Sequence, residues 1–237
     1  MNKTEVCALI KDIGVIPGIR VSSAEEAHFA AESVARGGIP IVEITMTVAG
    51  AVDLISHLVR YHPKMLVGAG TVIDIEMARR CVDAGAGFLT SPGLDPALIE
   101  FAAKNEIAVL AGALTPTEVI TAWRAGSTFV KVFPCAQVGG DQYIRALKAP
   151  LPQIPLIAAG GVNQQTAADF IFAGATAIGV GAELIPTEAI ERRQSARIRE
   201  LAHRFAGFVK NARARLEARK PRPTAKKLDS VEKCEDQ

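Results

Sequence analysis

The feature that most limits how this 237-residue chain can fold is an alternation repeated along most of its length. Short apolar runs give way to stretches with helical apolar spacing, at the intervals of βα units. The runs are Val15–Arg20, Ile39–Thr45, Met65–Ala69, Gly87–Ser91, Ile107–Ala111, Phe129–Phe133, Leu156–Ala159 and Ala175–Val180. Ser22-Ser23 ahead of Glu25-Glu26, Asp74, Asp95-Pro96 and Pro116 mark helix starts between them. Gly37-Gly38, Gly85 and Gly126 mark helix ends. Parallel strands need such crossovers, and eight strand–helix pairs in roughly 200 residues predict an α/β fold closed into a (β/α)8 TIM barrel. A doubly wound open sheet is the alternative, but the first βα turn lacks GxGxxG. The single domain is expected to span residues 1–219, with N- and C-terminal helices, and residues 220–237 to form a disordered tail.

Hydrophobic content of 49% is ample for such a core, and no run is apolar and long enough to span a bilayer. The N-terminus lacks the pattern of a signal peptide, and Cys7, Cys81, Cys135 and Cys234 form no CxxC pair, so a reduced, cytoplasmic protein is expected. His28, His57, His62 and His203 show no metal-ligand spacing with Cys or Glu, and no metal is expected. The net charge of +2 conceals an asymmetry: residues 1–191 carry 13 basic and 19 acidic side chains, residues 192–227 carry 13 and 2. Ile198, Leu201, Phe205 and Phe208 recur there at helical spacing. A basic-faced helix packed on the body is therefore preferred to a nucleic-acid or membrane surface.

Two ionisable residues stand where apolar ones are the rule. Lys131 interrupts the β-branched and aromatic run Phe129–Phe133. Desolvation disfavours its ammonium form, and the free amine is a nucleophile toward carbonyl carbon. A lysine snorkelling from a strand end is the competing reading. With a period of two, Ile41, Glu43 and Thr45 share the barrel-facing side of the second strand. A carboxyl group turned into an apolar barrel suits proton transfer, although a structural Glu paired to a barrel cation would look the same. Polar and glycine residues gather at the strands' C-terminal ends, where barrels of this class carry their chemistry.

Glu43-Ile-Thr45, Gly68-Ala-Gly-Thr71, Ser91-Pro-Gly93, Thr115-Pro-Thr-Glu118, Val130-Lys-Val-Phe-Pro134 with Gly139-Gly140, and Gly160-Gly-Val162 occur in the order found in the KDPG/KHG aldolases. The chain resembles that family over roughly residues 10–185. The resemblance implies a homotrimer of (β/α)8 barrels without metal or organic cofactor. It implies cleavage of 2-dehydro-3-deoxy-6-phosphogluconate (KDPG) to pyruvate and glyceraldehyde 3-phosphate, of 4-hydroxy-2-oxoglutarate (KHG) to pyruvate and glyoxylate, or both. It makes Lys131 the Schiff-base lysine and Glu43 the general acid/base. Thr71 becomes a partner of the pyruvate-end carboxylate, Pro92 and Phe133 the lining of the carbonyl pocket, and Thr45 part of the substrate-binding set.

Departures from the family pattern bear more on the substrate than on the reaction. Thr47 stands where many members have arginine, and Arg20 offers a replacement guanidinium able to bind a carboxylate bidentately, with a solvent-facing arginine at a strand end as the competing reading. Ala158-Ala-Gly-Gly161 replaces Pro-Thr-Gly-Gly, and Ala182 a phosphate-binding serine. Backbone N–H groups of Gly160, Gly161, Gly181 and Ala182 at helix N-termini could still cradle a phosphate, and glycines serving only tight turns are the competing reading. A non-phosphorylated hydroxyketoacid gains weight accordingly. Arg20 and Gln142-Tyr-Ile-Arg-Ala-Leu147 also resemble the related 6-phosphogalactonate aldolase, and a catalytically weak barrel serving as a binding scaffold is the reading from another class.

Overall fold

In a computed structural model that describes residues 1–219, eight parallel strands close in chain order into a barrel. The strands are β1 (Val15–Ile19), β2 (Ile41–Thr45), β3 (Leu66–Gly70), β4 (Phe88–Thr90), β5 (Ala108–Ala113), β6 (Phe129–Val132), β7 (Leu156–Ala159) and β8 (Ala177–Val180). Helix α1 (Lys3–Ile13) precedes them, and α2 (Ala24–Arg36), α3 (Ala51–Tyr61), α4 (Ile75–Asp83), α5 (Pro96–Lys104), α6 (Pro116–Arg124), α7 (Gly140–Lys148) and α8 (Ala167–Phe172) connect them. After β8 come α9 (Thr187–Glu191), a short helix that the sequence pattern did not reveal, and α10 (Ser195–Arg219). The expected disordered tail lies outside the described residues.

Local chemistry starts these helices where the sequence places them. Ser23, Asp74 and Asp95 each accept a backbone N–H from the first turn. Thr115 and Glu118 form a reciprocal capping box behind Pro116. Helix α10 buries Ile198, Ala202, Phe205, Val209 and Ala212 against α2 and α8. Most of its arginines lie on the opposite, solvent side, as expected of a basic-faced amphipathic helix, but Arg213 turns inward and donates to the carbonyls of Asp12 and Thr176.

The strand registers fix which side chains meet inside. Glu43 pairs with Gly68, and Gly68 with Phe88. Two residues up β4 is Thr90, which pairs with Leu110, and Leu110 with Phe129. Two residues up β6 is Lys131, which pairs with Ile157, and Ile157 with Ala177. Two up β8 is Gly179, which pairs with Ile16; the pairing of Gly18 with Glu43 then returns the path to β2. Four steps of two residues give the eight-residue stagger of a barrel of this kind, whose interior is filled by layers of four side chains from alternate strands. Glu43, Thr90, Lys131 and Gly179 are one such layer.

Candidate active site

That layer lines a cavity of about 830 Å³ at the strands' C-terminal end, with Ile16, Leu110 and Ile157 one step deeper. Lys131 and Glu43 both line it, from strands half-way round the ring from each other. Lys131 is partly exposed, and its Nζ lies 5.1 Å from the centroid of the Phe133 ring, over the aromatic face. Glu43 is only 8% exposed. Its carboxyl lies across Gly70, where a Cβ would stand 2.1 Å from Oε1; the glycine is what gives the acid room. Lys131 and Glu43 make no direct ion pair.

Arg20 lies one residue beyond β1, and its Nη2 donates to Thr71 Oγ1 at 3.3 Å. Thr71 has φ of 59°, a left-handed conformation that a β-branched residue rarely adopts and that tends to mark functional sites. Its hydroxyl is not a helix cap, since Asp74 caps α4. Thr45 Oγ1 donates to the Ile19 carbonyl at 2.9 Å and shares a 2.8 Å hydrogen bond with Thr47, so this hydroxyl is anchored in the barrel wall.

Most predicted binding residues converge on the cavity: Arg20, Thr45, Phe133, Gly160, Gly161, Gly181 and Ala182 all line it. Thr71 is outside the lining and joins the site through Arg20. Pro92 does not line the cavity as expected. Its carbonyl carbon and oxygen sit 2.3 and 2.5 Å from where a Gly112 Cβ would be, so the Ser91–Gly93 turn packs onto β5 instead. Ser91 Oγ secures it, donating to Gly93 O at 2.7 Å and accepting from Gly112 N at 3.1 Å.

The expectation of helix N-termini at the glycine pairs is corrected. After Gly160 and Gly161 the chain makes an Asn163–Thr166 turn, and α8 begins only at Ala167. Both glycines have positive φ and a close-packing role: a Cβ on Gly161 would meet that of Ala136 at 2.3 Å. Beyond Gly181 and Ala182 the chain turns back on the Gly181 carbonyl, and α9 starts at Thr187.

Three features were missed by sequence reasoning. Thr90, in a short apolar run, belongs to the same layer as Glu43 and Lys131, and strand alternation is the signal that would have placed it inward. Glu26, Glu183 and Glu191 line the cavity, so its carboxylates outnumber its two cations, Arg20 and Lys131. The histidines also need correction: α2 and α3 bring His28, Glu32 and His62 within 4.8 Å of one another, with the His28 and His57 rings edge to face. Glu32 is already paired with Arg36 at 3.5 Å. Burial holds the His28 imidazolium below its ordinary pKa. Near the cavity, burial and then Asp141 push the Cys135 thiol up to about 12.

A closed (β/α)8 barrel with an amine and a carboxyl facing one cavity at its C-terminal end defines a class of enzyme scaffold. The family model for KDPG and KHG aldolase matches residues 6–201. The KHG/KDPG aldolase of Escherichia coli strain K12 is 30% identical over 200 residues, 84% of this chain and 94% of that protein. A KDPG aldolase from Legionella pneumophila, with pyruvate captured as a covalent carbinolamine, superposes with a TM-score of 0.78 at 30% identity, covering 83% of this chain and 96% of that one. A native KDPGal structure gives 0.77, also at 30% identity, over 84% and 96%. The chain belongs to the KDPG and KHG aldolase family of carbon–carbon lyases.

Proposed function

We propose that this chain is a class I aldolase that cleaves a 2-keto-4-hydroxy acid to pyruvate and an aldehyde, with Lys131 as Schiff-base nucleophile and Glu43 as general acid/base. The observation that carries the proposal is the placing of both residues in one barrel layer beneath one cavity. The amine of Lys131 adds to the C2 carbonyl, and the carbinolamine loses water to a protonated imine. Glu43 takes the C4 hydroxyl proton as the C3–C4 bonding pair moves toward the imine nitrogen; the aldehyde leaves and an enamine remains. Return of the proton to C3 and hydrolysis of the imine release pyruvate and the free amine. Arg20 and Thr71, joined by a hydrogen bond, are the proposed partners of the keto-acid carboxylate.

With Arg20 used at the pyruvate end, the cavity wall offers a distal group Glu26, Glu183 and Glu191 with the hydroxyls of Ser22, Thr47 and Thr187. That acidic set meets an anion in either case, the distal carboxylate of 4-hydroxy-2-oxoglutarate or the phosphate of KDPG, so cleavage of KDPG, of 4-hydroxy-2-oxoglutarate or of both is the reading. Cleavage of the 6-phosphogalactonate analogue is the second reading, supported by the family.

We further place the enzyme in a reducing cytoplasm as a homotrimer. Free thiols at Cys7, Cys81 and Cys135 suit the first, and exposed Ile73 and Ile75 after β3 offer an apolar contact for the second. Light scattering tests the assembly. Borohydride trapping with pyruvate tests the chemistry: a reduced adduct on Lys131 is expected, lost in Lys131→Ala and kept in Glu43→Gln, which turns over slowly. Wild-type protein that gains no adduct, or Lys131→Ala with normal turnover, overturns the assignment.

A further inference from the structure

Thr90 Oγ1 is the one buried side-chain polar atom among the described residues with no hydrogen-bond partner. Its neighbours in the barrel wall are not left so. Thr45 Oγ1 reaches the Ile19 carbonyl, Ser91 Oγ reaches Gly93 and Gly112, and Ser127 Oγ reaches Val109 and Phe129. An unmade hydrogen bond on a buried hydroxyl is a net cost to the resting fold, and valine, with the same shape and a strand preference, would avoid it. The partner is therefore to be sought among the groups that face the same cavity.

Position says where. Thr90 is wholly buried yet lines the cavity, in the same layer as Glu43 and Lys131. The strand between Thr90 and Glu43 is β3, and it contributes Gly70 at this level: Ala69 pairs with Leu89, so Gly70 falls beside Thr90. No side chain separates the two, and the Glu43 carboxyl already leans across that gap. Lys131 Nζ, in contrast, is drawn to the Phe133 ring. Glu43 and Thr90 are therefore the two side chains that flank the open position at Gly70.

We propose that Thr90 is a positioning residue of the acid–base step: its hydroxyl donates a hydrogen bond to the Glu43 carboxylate once a keto acid fills the cavity, and holds that carboxylate at the reacting carbons. The inference rests on the aldolase reading above. That bond supplies the partner that the buried hydroxyl otherwise lacks.

The test compares Thr90→Val, Thr90→Ser and Thr90→Ala, using pyruvate release from 4-hydroxy-2-oxoglutarate and from KDPG, borohydride trapping with pyruvate, and the thermal midpoint. Thr90→Val is expected to lower kcat by about tenfold or more with KM changed less than about threefold. Its thermal midpoint is unchanged or higher. Thr90→Ser stays within about threefold of wild type, and Thr90→Ala loses as much as Val, which separates the hydroxyl from packing. Should Val fail to fold, Ser retained against Ala lost supports the proposal on its own. It is overturned if Val turns over within about twofold of wild type, if Ser falls as far as Val, or if KM rises as much as kcat falls. Wild-type protein that traps no pyruvate sinks the aldolase reading and this proposal together; normal trapping beside an indifferent Thr90→Val sinks the Thr90 role alone.

Discussion

Adding one methyl group at Gly70 tests the acid without touching it. Gly70 has no left-handed φ, so alanine fits the backbone, and a β-strand gains slightly from losing a glycine. The new Cβ would meet Glu43 Oε1 at 2.1 Å, Cδ at 2.5 Å and Cγ at 2.6 Å. Ordinary contact begins at 3.4 Å, so the carboxyl must retreat by about 1.3 Å, the difference between 3.4 and 2.1. What moves is the end of a flexible side chain facing a cavity, so stability changes little. Misplacement of a reacting group by about 1 Å costs on the order of 100-fold in rate, or about 2.7 kcal/mol of transition-state stabilisation. Gly70→Ala is therefore expected to lower kcat by about 100-fold while the thermal midpoint stays within a few degrees and Lys131 still reaches full borohydride trapping with pyruvate at long times. Pyruvate release coupled to its reduction by lactate dehydrogenase gives kcat. If Gly70→Ala retains kcat within threefold of wild type, Glu43 is not the group whose placement limits turnover.

Gly112→Ala is different in kind, because its Cβ meets the backbone of Pro92 and Gly93 at 2.3 to 2.5 Å and no side chain can yield. A loss of about 1–3 kcal/mol is expected in urea unfolding. Glu118→Ala removes the acceptor of the Thr115 and Leu114 N–H groups and should cost about 1 kcal/mol at pH 7. Those bonds hold the Glu118 carboxyl below its ordinary 4.5, so its contribution is present above that pH and fades as pH falls through the folded value. Denaturation of wild type and variant at pH 7 and pH 3 should show the gap closing. Burial pushes the Cys81 thiol to about 11 and that of Cys135 to about 12, so peptides carrying them should stay unmodified by iodoacetamide at pH 8 in native protein and react after unfolding. Labelling of either in the folded enzyme would contradict that burial.

The barrel was legible because each βα unit writes its own period, caps and breaks into a local stretch. Lys131 and Glu43 were legible for a related reason: a charge at an inward position of an apolar strand is visible without any partner. Arg20 showed itself by standing at a strand's end. Thr90 was not visible in that way, since threonine is an ordinary strand former, and its interest comes from a missing partner and from a layer fixed by the registers of all eight strands. The supposed helix starts after Gly160 and Gly181 failed because turns intervene, at Asn163–Thr166 and on the Gly181 carbonyl. His28 and His62 lie 34 positions apart, and only the packing of α2 beside α3 makes them neighbours.

Gly179 completes the layer of Glu43, Thr90 and Lys131 with a hydrogen atom in place of a side chain, on the strand opposite Thr90. The ring is therefore lopsided: amine and acid come from facing strands, Thr90 fills one flank, and on the other only the Ala159 methyl, 2.9 Å from where a Gly179 Cβ would stand, closes the wall. The pyruvyl enamine carbon is a CH2 before and after bond formation, so in the synthetic direction the handedness of the new hydroxyl-bearing carbon is set by which face the aldehyde presents. An aldehyde resting against the bare flank would have that choice made by β8, and enlarging residue 179 should erode enantiomeric purity before it abolishes bond formation.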